Sequence, residues 1–479
     1  MDFKTESKAA SDHIDVLKEV PVEAMEEISE EYRAIEKRLV RKLDYTLVPM
    51  LWVLYLFNYL DRNNIAQARL NSFEDDLNLK GNQFNIAVSV LNVGYMLMQL
   101  PSNMLLTRTR PSLYIPVWAA LWSIISASTA ATHSFRQLIA VRFLLGVAEA
   151  PFFPGAMYLL SCYYTRKELA VRTALLYSGV ILATAFSGLL AAGIFSGLDG
   201  VHSMAGWQWL FILEGSGSFL VSLVAMFILP DFPGANTGSA KWLLTEEERR
   251  ISVNRISRDR VSEKTIDGSV WSGLAAAVKD IKTWIFVIML TGNHSAYGFN
   301  NFFPTIVKGF DLGNNTITLI LTAPPYLLAS VVAFAVALSS DRRKERGWHM
   351  SAPMVFSCIG FIISVATLNK AARYTAAFLY ICGCFSSNAL VFSWAANTLS
   401  QSPEKRACAT AIINLLSQLG NIWSPYFFPK SDGPRYVMAM LLMMASTVIS
   451  MLSAMLMKFL LVRANRKLKA DGAEQLFTL

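Results

Sequence analysis

Charge is scarce in this 479-residue sequence. Asp, Glu, Lys and Arg make up 16% of it, whereas soluble proteins carry about 25%. There is no glycine-rich phosphate-binding loop, no metal-ligand spacing and no nucleophile placed beside a base. The five cysteines fall in or beside apolar stretches and lack the spacing of a disulfide framework. These absences exclude a soluble, disordered or disulfide-stapled protein. They also argue against an enzyme, an ATP-driven pump and a bound cofactor.

Long apolar runs dominate instead, and the residue types Ala, Val, Ile, Leu, Met, Phe, Trp, Tyr and Cys account for 53% of the chain. A hydrocarbon core about 30 Å thick is crossed by about 20 helical residues, and an open strand cannot satisfy its backbone there. We therefore predict an all-α integral membrane protein with twelve transmembrane helices. The predicted spans are 45–66, 83–105, 112–131, 137–160, 169–196, 206–229, 281–306, 316–339, 349–368, 374–398, 406–428 and 435–461.

A polar stretch between the sixth and seventh spans divides the chain into two six-helix halves. The predicted units are an N-terminal segment (1–44), a first bundle (45–229), an interdomain loop (230–280), a second bundle (281–461) and a tail (462–479). Within the loop, Thr245 precedes three glutamates and predicts a helix N-terminus. Short basic loops follow both the second and the eighth span, which suggests an internal repeat.

The basic residues predict the orientation. Of the 43 Lys and Arg residues, 32 would lie on the side of the two termini, 8 on the other side and 3 in the interior of spans, when residues at the span ends are counted with the adjoining loops. Because cytosolic loops are enriched in Lys and Arg, we predict that both termini, the interdomain loop and the tail are cytosolic. The net charge of +8 is then a membrane feature. We expect the lipid bilayer, and no nucleic acid, as a partner.

Charged residues inside a span are costly, so each one needs a reason. The first span contains Asp61 and Arg62, and Tyr55, Asn58 and Arg62 share a helical face through their spacing of three and seven residues. The fork of donors on an arginine suits a carboxylate. Tyr55, Asn58 and Arg62 are therefore candidate substrate-binding residues. The alternative is that Arg62 only pairs with Asp61 or extends toward the membrane interface.

The fourth span carries Arg142 and Glu149, which lie seven residues apart on one face. An acid in a half-dry cavity beside an arginine is suited to carry a proton. The alternative is a permanent bridge between Glu149 and Arg142 that holds helices together. For Glu214, in the sixth span, we expect a structural pairing between helices.

The spans of the second half contain neutral polar residues and no acid or arginine. Three of them, His294, Tyr297 and Asn301, share a helical face. Together these residues are typical of the polar points of an otherwise apolar pocket, although each alone could serve only to bond a neighbouring helix. The candidate substrate-binding residues of this half are His294, Tyr297, Asn300, Asn301, Asn388, Trp394 and Asn397.

Five short stretches carry a family resemblance. They are 58–65 (NYLDRNNI), 100–103 (LPSN), 142–150 (RFLLGVAEA), 206–215 (GWQWLFILEG) and 299–304 (FNNFFP). With them, the chain resembles the major facilitator superfamily, and within it the fungal allantoate permease family of the anion:cation symporters. The resemblance covers essentially all of residues 37–462.

This resemblance implies proton-coupled import of a small organic anion, such as a carboxylate, vitamin or ureide, by alternating access of two six-helix domains to a central site. It implies that Asp61 and Glu149 take protons and that Arg62 holds the substrate carboxylate. Arg142 is expected to pair with Glu149 in part of the cycle.

The sequence departs from the superfamily in the loop after the second span, because residues 102–110 contain no acid. The corresponding loop after the eighth span keeps Asp341 and Arg342. We therefore expect Asp341 and Arg342 to form ion pairs that gate the cytosolic side, and we expect this gate to be asymmetric between the halves.

We predict a monomeric plasma-membrane symporter whose partners are a small organic anion and protons. Two alternatives remain from the sequence. One is an exporter of a secondary metabolite, and the other is a nutrient sensor that binds its ligand without net transport.

Overall fold

A computed structural model describes residues 30–106, 109–235, 237–259, 270–399, 403–470 and 477–478. The predicted N-terminal segment therefore lies largely outside the described residues, as do 260–269 of the interdomain loop and 471–476 of the tail. The regular structure of the described ranges is helical, apart from an isolated bridge between Pro230 and Gly238. The prediction of an all-α membrane protein is confirmed.

The helices of the N-terminal half are α1 (Glu30–Ala68), α2 (Gln83–Leu106), α3 (Pro111–Ser128), α4 (Phe135–Glu149), α5 (Phe152–Tyr163), α6 (Arg166–Leu198) and α7 (Gly206–Ile228). The interdomain loop contains α8 (Glu246–Asp259) and α9 (Val270–Lys279). The C-terminal half has α10 (Ile281–Ala296), α11 (Phe303–Lys308), α12 (Asn315–Arg343), α13 (Gly347–Ala366), α14 (Lys370–Thr398), α15 (Pro403–Ser417), α16 (Leu419–Trp423) and α17 (Val437–Ala470). Short helices at Phe73–Asp76 and Ala240–Leu243 lie in connections.

Each predicted span coincides with one of these helices or with two consecutive ones. In the described part of the chain, nine helical stretches are long and apolar enough to cross a membrane. The fourth, seventh and eleventh spans are each divided, as α4 and α5, α10 and α11, and α15 and α16. The division in the fourth span falls at Pro151, where the missing N–H and the fixed φ of proline disfavour an unbroken helix.

Glycines allow helices of the N-terminal half to cross at backbone contact. A Cβ atom added to Gly146 of α4 would lie 2.0 Å from the carbonyl oxygen of Leu91 in α2, and one on Gly94 would lie 2.4 Å from that of Phe143. No side chain fits at such distances, so α2 and α4 can pack this closely only with glycine at both positions. This crossing fixes α4, and with it Arg142 and Glu149, against the rest of the half.

The two halves meet at the end of the bundle away from the chain termini, which we call the opposite end. There, Ser89 donates a hydrogen bond to the carbonyl oxygen of Ile422 (2.7 Å) and Asn315 donates one to that of Leu70 (2.9 Å). Further contacts across the same junction are the ion pair between Glu74 and Lys430 at 2.6 Å and the edge-to-face contact between the rings of Phe84 and Phe302. The apolar core at this end contains residues of both halves.

Gly188 of α6 lies in the same junction, against α12 of the other half. A Cβ atom added there would stand 2.2 Å from Oγ1 of Thr322 and 2.7 Å from the carbonyl oxygen of Leu319. The close approach of α6 and α12, which seals this side of the opposite end, therefore depends on the absence of a side chain at position 188.

The end that carries the chain termini, which we call the basic end, is where the interdomain loop packs. Thr245 caps α8 as predicted: its Oγ1 accepts from the Glu248 N–H (3.2 Å), and Glu248 accepts from the Thr245 N–H (2.9 Å). Lys42 of α1 donates to Glu248 at 2.7 Å. Burial opposes ionisation of Glu248, but these hydrogen bonds outweigh it and hold the pKa of that carboxyl below its usual value.

The interdomain loop is divided between the halves. Helix α8 packs on α1, and its Arg255 pairs with Glu36 and Glu168 of the N-terminal half. Helix α9 packs instead on α15 of the C-terminal half. Each half thus has its own helical cover at the basic end.

Candidate functional site

A cavity of about 240 Å³ lies between the two halves. It is closed at the opposite end by the contacts described above, and its lining extends toward the basic end through Ser178, Ala337 and Asn414. Its walls combine aromatic rings with polar side chains. Predicted site residues that line it are Tyr55, Arg62, Arg142, His294, Tyr297, Asn300, Asn301 and Asn388.

Arg62, on the cavity wall, forms an ion pair between α1 and α4 with Glu149, which is buried behind the wall. Nη2 of Arg62 lies 2.6 Å, and Nε 2.9 Å, from the same oxygen, Oε2, of Glu149. The Glu149 side chain is fully buried, while that of Arg62 is 19% exposed. The second oxygen of Glu149, Oε1, has no hydrogen-bond partner. Arg62 therefore pairs with Glu149, and the alternative pairing with Asp61 is not what the structure has.

Two tyrosine rings hold the Arg62 guanidinium. Its central carbon lies 5.2 Å from the ring centroid of Tyr59 and 5.0 Å from that of Tyr95, distances at which a cation is attracted by the ring face. Tyr55, Tyr59 and Arg62 stand at positions i, i+4 and i+7 of α1, so the helix presents all three to the cavity. The guanidinium is thus oriented before any anion arrives.

Arg142 lies beside this ion pair but is not bonded to Glu149. It is buried, and Nη2 makes a long contact of 3.4 Å with the carbonyl oxygen of Arg62. Its Nε and Nη1 have no hydrogen-bond partner. The permanent bridge between Arg142 and Glu149 is absent, because seven residues of one helix separate the two by about 10 Å along its axis. The cavity therefore has a buried cation with unused donors.

Asp61 lies behind the cavity wall. It is fully buried and accepts hydrogen bonds from Ser126 of α3 (2.8 Å) and from Ser218 of α7. Like Glu149, it is not among the residues that line the cavity. Asp61 and Glu149, predicted for the same role, differ in their partners: serine hydroxyls donate to Asp61, whereas an arginine donates to Glu149.

The C-terminal half supplies neutral groups that are held by its own backbone. Nδ1 of His294 lies 3.0 Å from the carbonyl oxygen of Ser417, and Tyr297 donates to that of Cys384 at 3.3 Å. Asn300 accepts from Tyr326 at 2.9 Å. The Oδ1 atom of Asn388 has no partner. His294 and Tyr297 therefore bond neighbouring helices and also line the cavity.

Three predicted site residues lie away from the cavity lining. Asn58 is buried elsewhere in the bundle, and Asn397 is exposed. The Trp394 indole packs in the core of the C-terminal half on Phe286 and donates to the carbonyl oxygen of Thr478 (3.1 Å). The structure does not bring these three to the cavity with the other predicted site residues. At 100° per residue, Asn397 points about 180° away from Asn388 on α14.

Several lining residues were missed by the sequence analysis. They are Tyr59, Asn63, Asn92, Tyr95 and Tyr177. Tyr59 could have been found from its spacing of four residues after Tyr55, whereas Tyr95 and Tyr177 are isolated aromatics in apolar runs and give no sequence signal.

The predicted gating loop after the eighth span is closed on itself. Asp341 pairs with Arg346 at 2.5 Å within the loop, and Arg342 is exposed. In the N-terminal half the corresponding loop does have an acid, which comes from the interdomain loop. Asp231 is buried and accepts from Arg110 (3.0 Å) and from the backbone N–H of Ser112 (3.0 Å).

Comparison with known proteins gives consistent matches over most of the chain. The model of the Major Facilitator Superfamily matches residues 51–425. The major facilitator-type transporter hxnP of Emericella nidulans is 33% identical over 451 residues, which cover 91% of this chain and 88% of hxnP. A putative tartrate transporter of Agrobacterium vitis is 31% identical over 397 residues, covering 82% of this chain and 84% of that protein.

Two solved structures share the architecture. A bacterial homolog of the human lysosomal transporter Spinster, inward-facing and unoccupied, superposes with a TM-score of 0.67 at 17% identity, covering 87% of this chain and 96% of that one. The xylose transporter XylE from E. coli gives a TM-score of 0.63 at 12% identity, over 84% of this chain and 96% of its own. These two likenesses concern the fold alone.

Proposed function

The chain belongs to the major facilitator superfamily and is a multi-pass membrane transporter; from that premise we propose that it is a symporter that imports a small organic anion together with protons. The observation that carries the proposal is that Arg62, on the wall of a cavity between the two halves, is paired with the buried Glu149 behind it. The placement within the allantoate permease family of anion:cation symporters is part of the same proposal.

The ion pair offers a direct means of coupling. Arg62 directs two donors at Glu149, and a substrate carboxylate would need the same donors. Both anions cannot be held at once, so substrate binding favours loss of the Glu149 charge, which protonation supplies. Conversely, once the substrate leaves, the free guanidinium favours the ionised acid and release of its proton. The proton and the anion then move together.

The remaining charges favour an anionic substrate. Arg142 is buried in the lining with two nitrogen atoms unpartnered, and a buried unpaired cation is stabilised by a bound anion. The groups that the C-terminal half contributes are neutral amides, phenols and an imidazole. One relative is named a putative tartrate transporter, and tartrate, with two carboxylates, is a suitable first probe for two arginines.

Alternating access follows from where the halves touch. The junction is closed at the opposite end, and the cavity lining extends toward the basic end. The excess of Lys and Arg at the basic end favours a cytosolic location for that end. With that orientation, the structure is an inward-facing state. Import would then require the contacts at the opposite end to break and new ones to form at the basic end. Plasma-membrane location is part of this proposal.

The test is uptake into proteoliposomes with a defined pH difference. A panel of labelled mono- and dicarboxylates, beginning with tartrate, is first ranked by thermal shift of the purified protein. We expect the best ligand to accumulate when the outside is acidic, and an uncoupler to abolish that accumulation. Glu149→Gln should lose accumulation but keep exchange of labelled for unlabelled substrate.

Three results would contradict the proposal. Saturable uptake that ignores the proton gradient would remove the coupling. Binding confined to neutral or cationic compounds would remove the anion. Accumulation only in vesicles of the reverse orientation would indicate an exporter. Arg373→Lys, a change at a buried arginine of the C-terminal half that lies outside the cavity, is the matched control for substitutions of Arg62.

A further inference from the structure

A third acid, Glu214 of α7, is buried in the N-terminal half and has no role in the cavity. It is 5% exposed and does not line the cavity. Neither of its oxygen atoms has a hydrogen-bond partner, and within the described residues no cation pairs with it. Among the described residues, Glu214 therefore has no ion pair with a neighbouring helix, and the group that faces it on α1 is the Asn64 amide.

The surroundings of Glu214 connect it to Asp61. Ser218, one turn further along α7, donates to Asp61, so the face of α7 that carries Glu214 is turned toward α1. On α1, Asn64 stands one turn beyond Asp61, is fully buried, and has neither amide atom partnered. Two consecutive polar layers thus lie between α1 and α7. One consists of Asp61 and Ser218, and the other of Asn64 and Glu214.

Among the described residues, no basic side chain pairs with Glu214. The groups that act on Glu214 are the Asp61 carboxyl and the Asn64 amide. Helix α3 has no charged residue along its length, and the charged residues of α6 lie in its first two turns at the basic end. An ionised carboxylate buried without a cation is strongly disfavoured. Burial without a counter-charge therefore favours the protonated form of Glu214.

We propose that Glu214 is a proton-binding residue of the transport cycle that exchanges its proton with Asp61, in a path within the N-terminal half that is separate from the Arg62–Glu149 pair. In this exchange the O–H bond of Glu214 breaks as an O–H bond forms on the ionised Asp61, so one negative charge moves from Asp61 to Glu214 and nothing else is consumed. The Asn64 amide can donate a hydrogen bond to whichever acid is ionised and accept one from whichever acid is protonated. Glu214 lies nearer the opposite end than Asp61, so it lies on the side from which an imported proton comes.

The proposal rests on the proton coupling of the proposed function, and its test separates the two. The substitution Glu214→Gln keeps the size and neutrality of the protonated acid but cannot release a proton. In proteoliposomes, we expect it to lose uptake driven by a pH difference and the acid-stimulated limb of the pH profile. Substrate exchange, which needs no net proton movement, should remain as in the wild type. The control is Ser222→Ala, at a buried serine of α7 whose hydroxyl donates to the carbonyl oxygen of Phe219 in the same helix, and it should keep pH-driven uptake.

Each outcome decides one question. If the wild type shows no proton-driven uptake, the proposed function fails. If the wild type is coupled and Glu214→Gln is equally coupled, the role of Glu214 fails alone. If Glu214→Gln loses exchange as well, or does not fold, the variant Glu214→Asp decides, because it keeps a carboxyl group. Restored pH-driven uptake in Glu214→Asp supports the proposal. Loss of pH-driven uptake in Glu214→Asp assigns Glu214 to packing and overturns the proposal.

Discussion

The two halves of the molecule share a helical plan but differ in the chemistry they bury. The N-terminal half buries Asp61, Arg142, Glu149 and Glu214 in the membrane region and holds Arg62 at the cavity wall. The corresponding region of the C-terminal half contributes neutral groups that its own backbone carbonyls hold in place. The carboxyl groups of the first half can bind and release protons, whereas the amides that predominate in the second half cannot. We infer that coupling resides in the first half and that the second half mainly shapes the pocket.

The largest expected effect is at the ion pair. Arg62→Gln removes the cation and leaves Glu149 buried without its partner, and losing one member of a buried charge pair costs about 3–5 kcal/mol. We expect uptake to fall by at least about two orders of magnitude, measured as kcat/KM in proteoliposomes. Arg373→Lys should stay near the wild-type value. An Arg62→Gln protein that transports normally would remove the distinction between the halves.

The second comparison concerns the matching loops at the basic end. Asp231 is 1% exposed and accepts hydrogen bonds from Arg110 and Ser112, whereas the Asp341 side chain is 62% exposed. Asp231→Asn should lower the free energy of unfolding by about 2 kcal/mol, since buried donors lose a charged partner. Asp341→Asn should change it by less than about 1 kcal/mol. Thermal unfolding in detergent measures both, and equal shifts would contradict the asymmetry.

A smaller effect is expected in the neutral half. Asn388→Ala removes an amide whose Oδ1 atom is unpartnered in the cavity lining, and one hydrogen bond to substrate contributes about 1 kcal/mol. We expect KM to rise about fivefold while the dependence on the pH difference stays unchanged. Asn397→Ala, on the exposed side of the same helix, should leave KM as it is. Loss of proton coupling in Asn388→Ala would show that coupling extends into the C-terminal half.

The smallest expected effect is on the pH dependence of unfolding, and it should be similar in both halves. Burial opposes ionisation of Glu345, but hydrogen bonds from Lys458, the Trp348 N–H and His349 hold its pKa below the usual value, as Lys42 and Thr245 do for Glu248. A carboxyl whose pKa is lowered on folding stabilises the folded state at pH values above its unfolded pKa. That contribution is lost as the pH falls through the lower, folded pKa.

We therefore expect the unfolding temperature to drop as the pH falls below about 4.5. The drop should be shallower in Glu248→Gln and in Glu345→Gln than in the wild type. A pH profile that both substitutions leave unchanged would mean that neither carboxyl is held by its partners in solution.

The spans and the charged positions could be predicted from the sequence because hydrocarbon imposes strict rules on length and charge. Arg62 and Glu149 stood out by the cost of burying them. Their pairing could not be predicted, because residues 87 positions apart meet only when α1 packs on α4. Spacing on a single helix suggested Arg142 instead, which shares a face with Glu149 but lies too far along it.

Other errors have similar causes. Trp394 and Asn397 were placed in the pocket because their type was suitable, but the phase of α14 turns them elsewhere. The acid that holds the first basic loop, Asp231, was missed because it comes from the interdomain loop. Whether a buried acid such as Glu214 has a partner depends on the neighbours that tertiary packing supplies.

Gly188 gives experimental control over the conformational equilibrium. The close contact of α6 and α12 exists only in the state closed at the opposite end, so a larger side chain at 188 penalises that state and spares the one in which the two helices have separated. A penalty of about 3 kcal/mol would shift the ratio of the two populations more than a hundredfold. Alanine and valine at this position would then form a graded series, and the conformer open at the opposite end could be enriched in solution without a ligand, an inhibitor or an antibody.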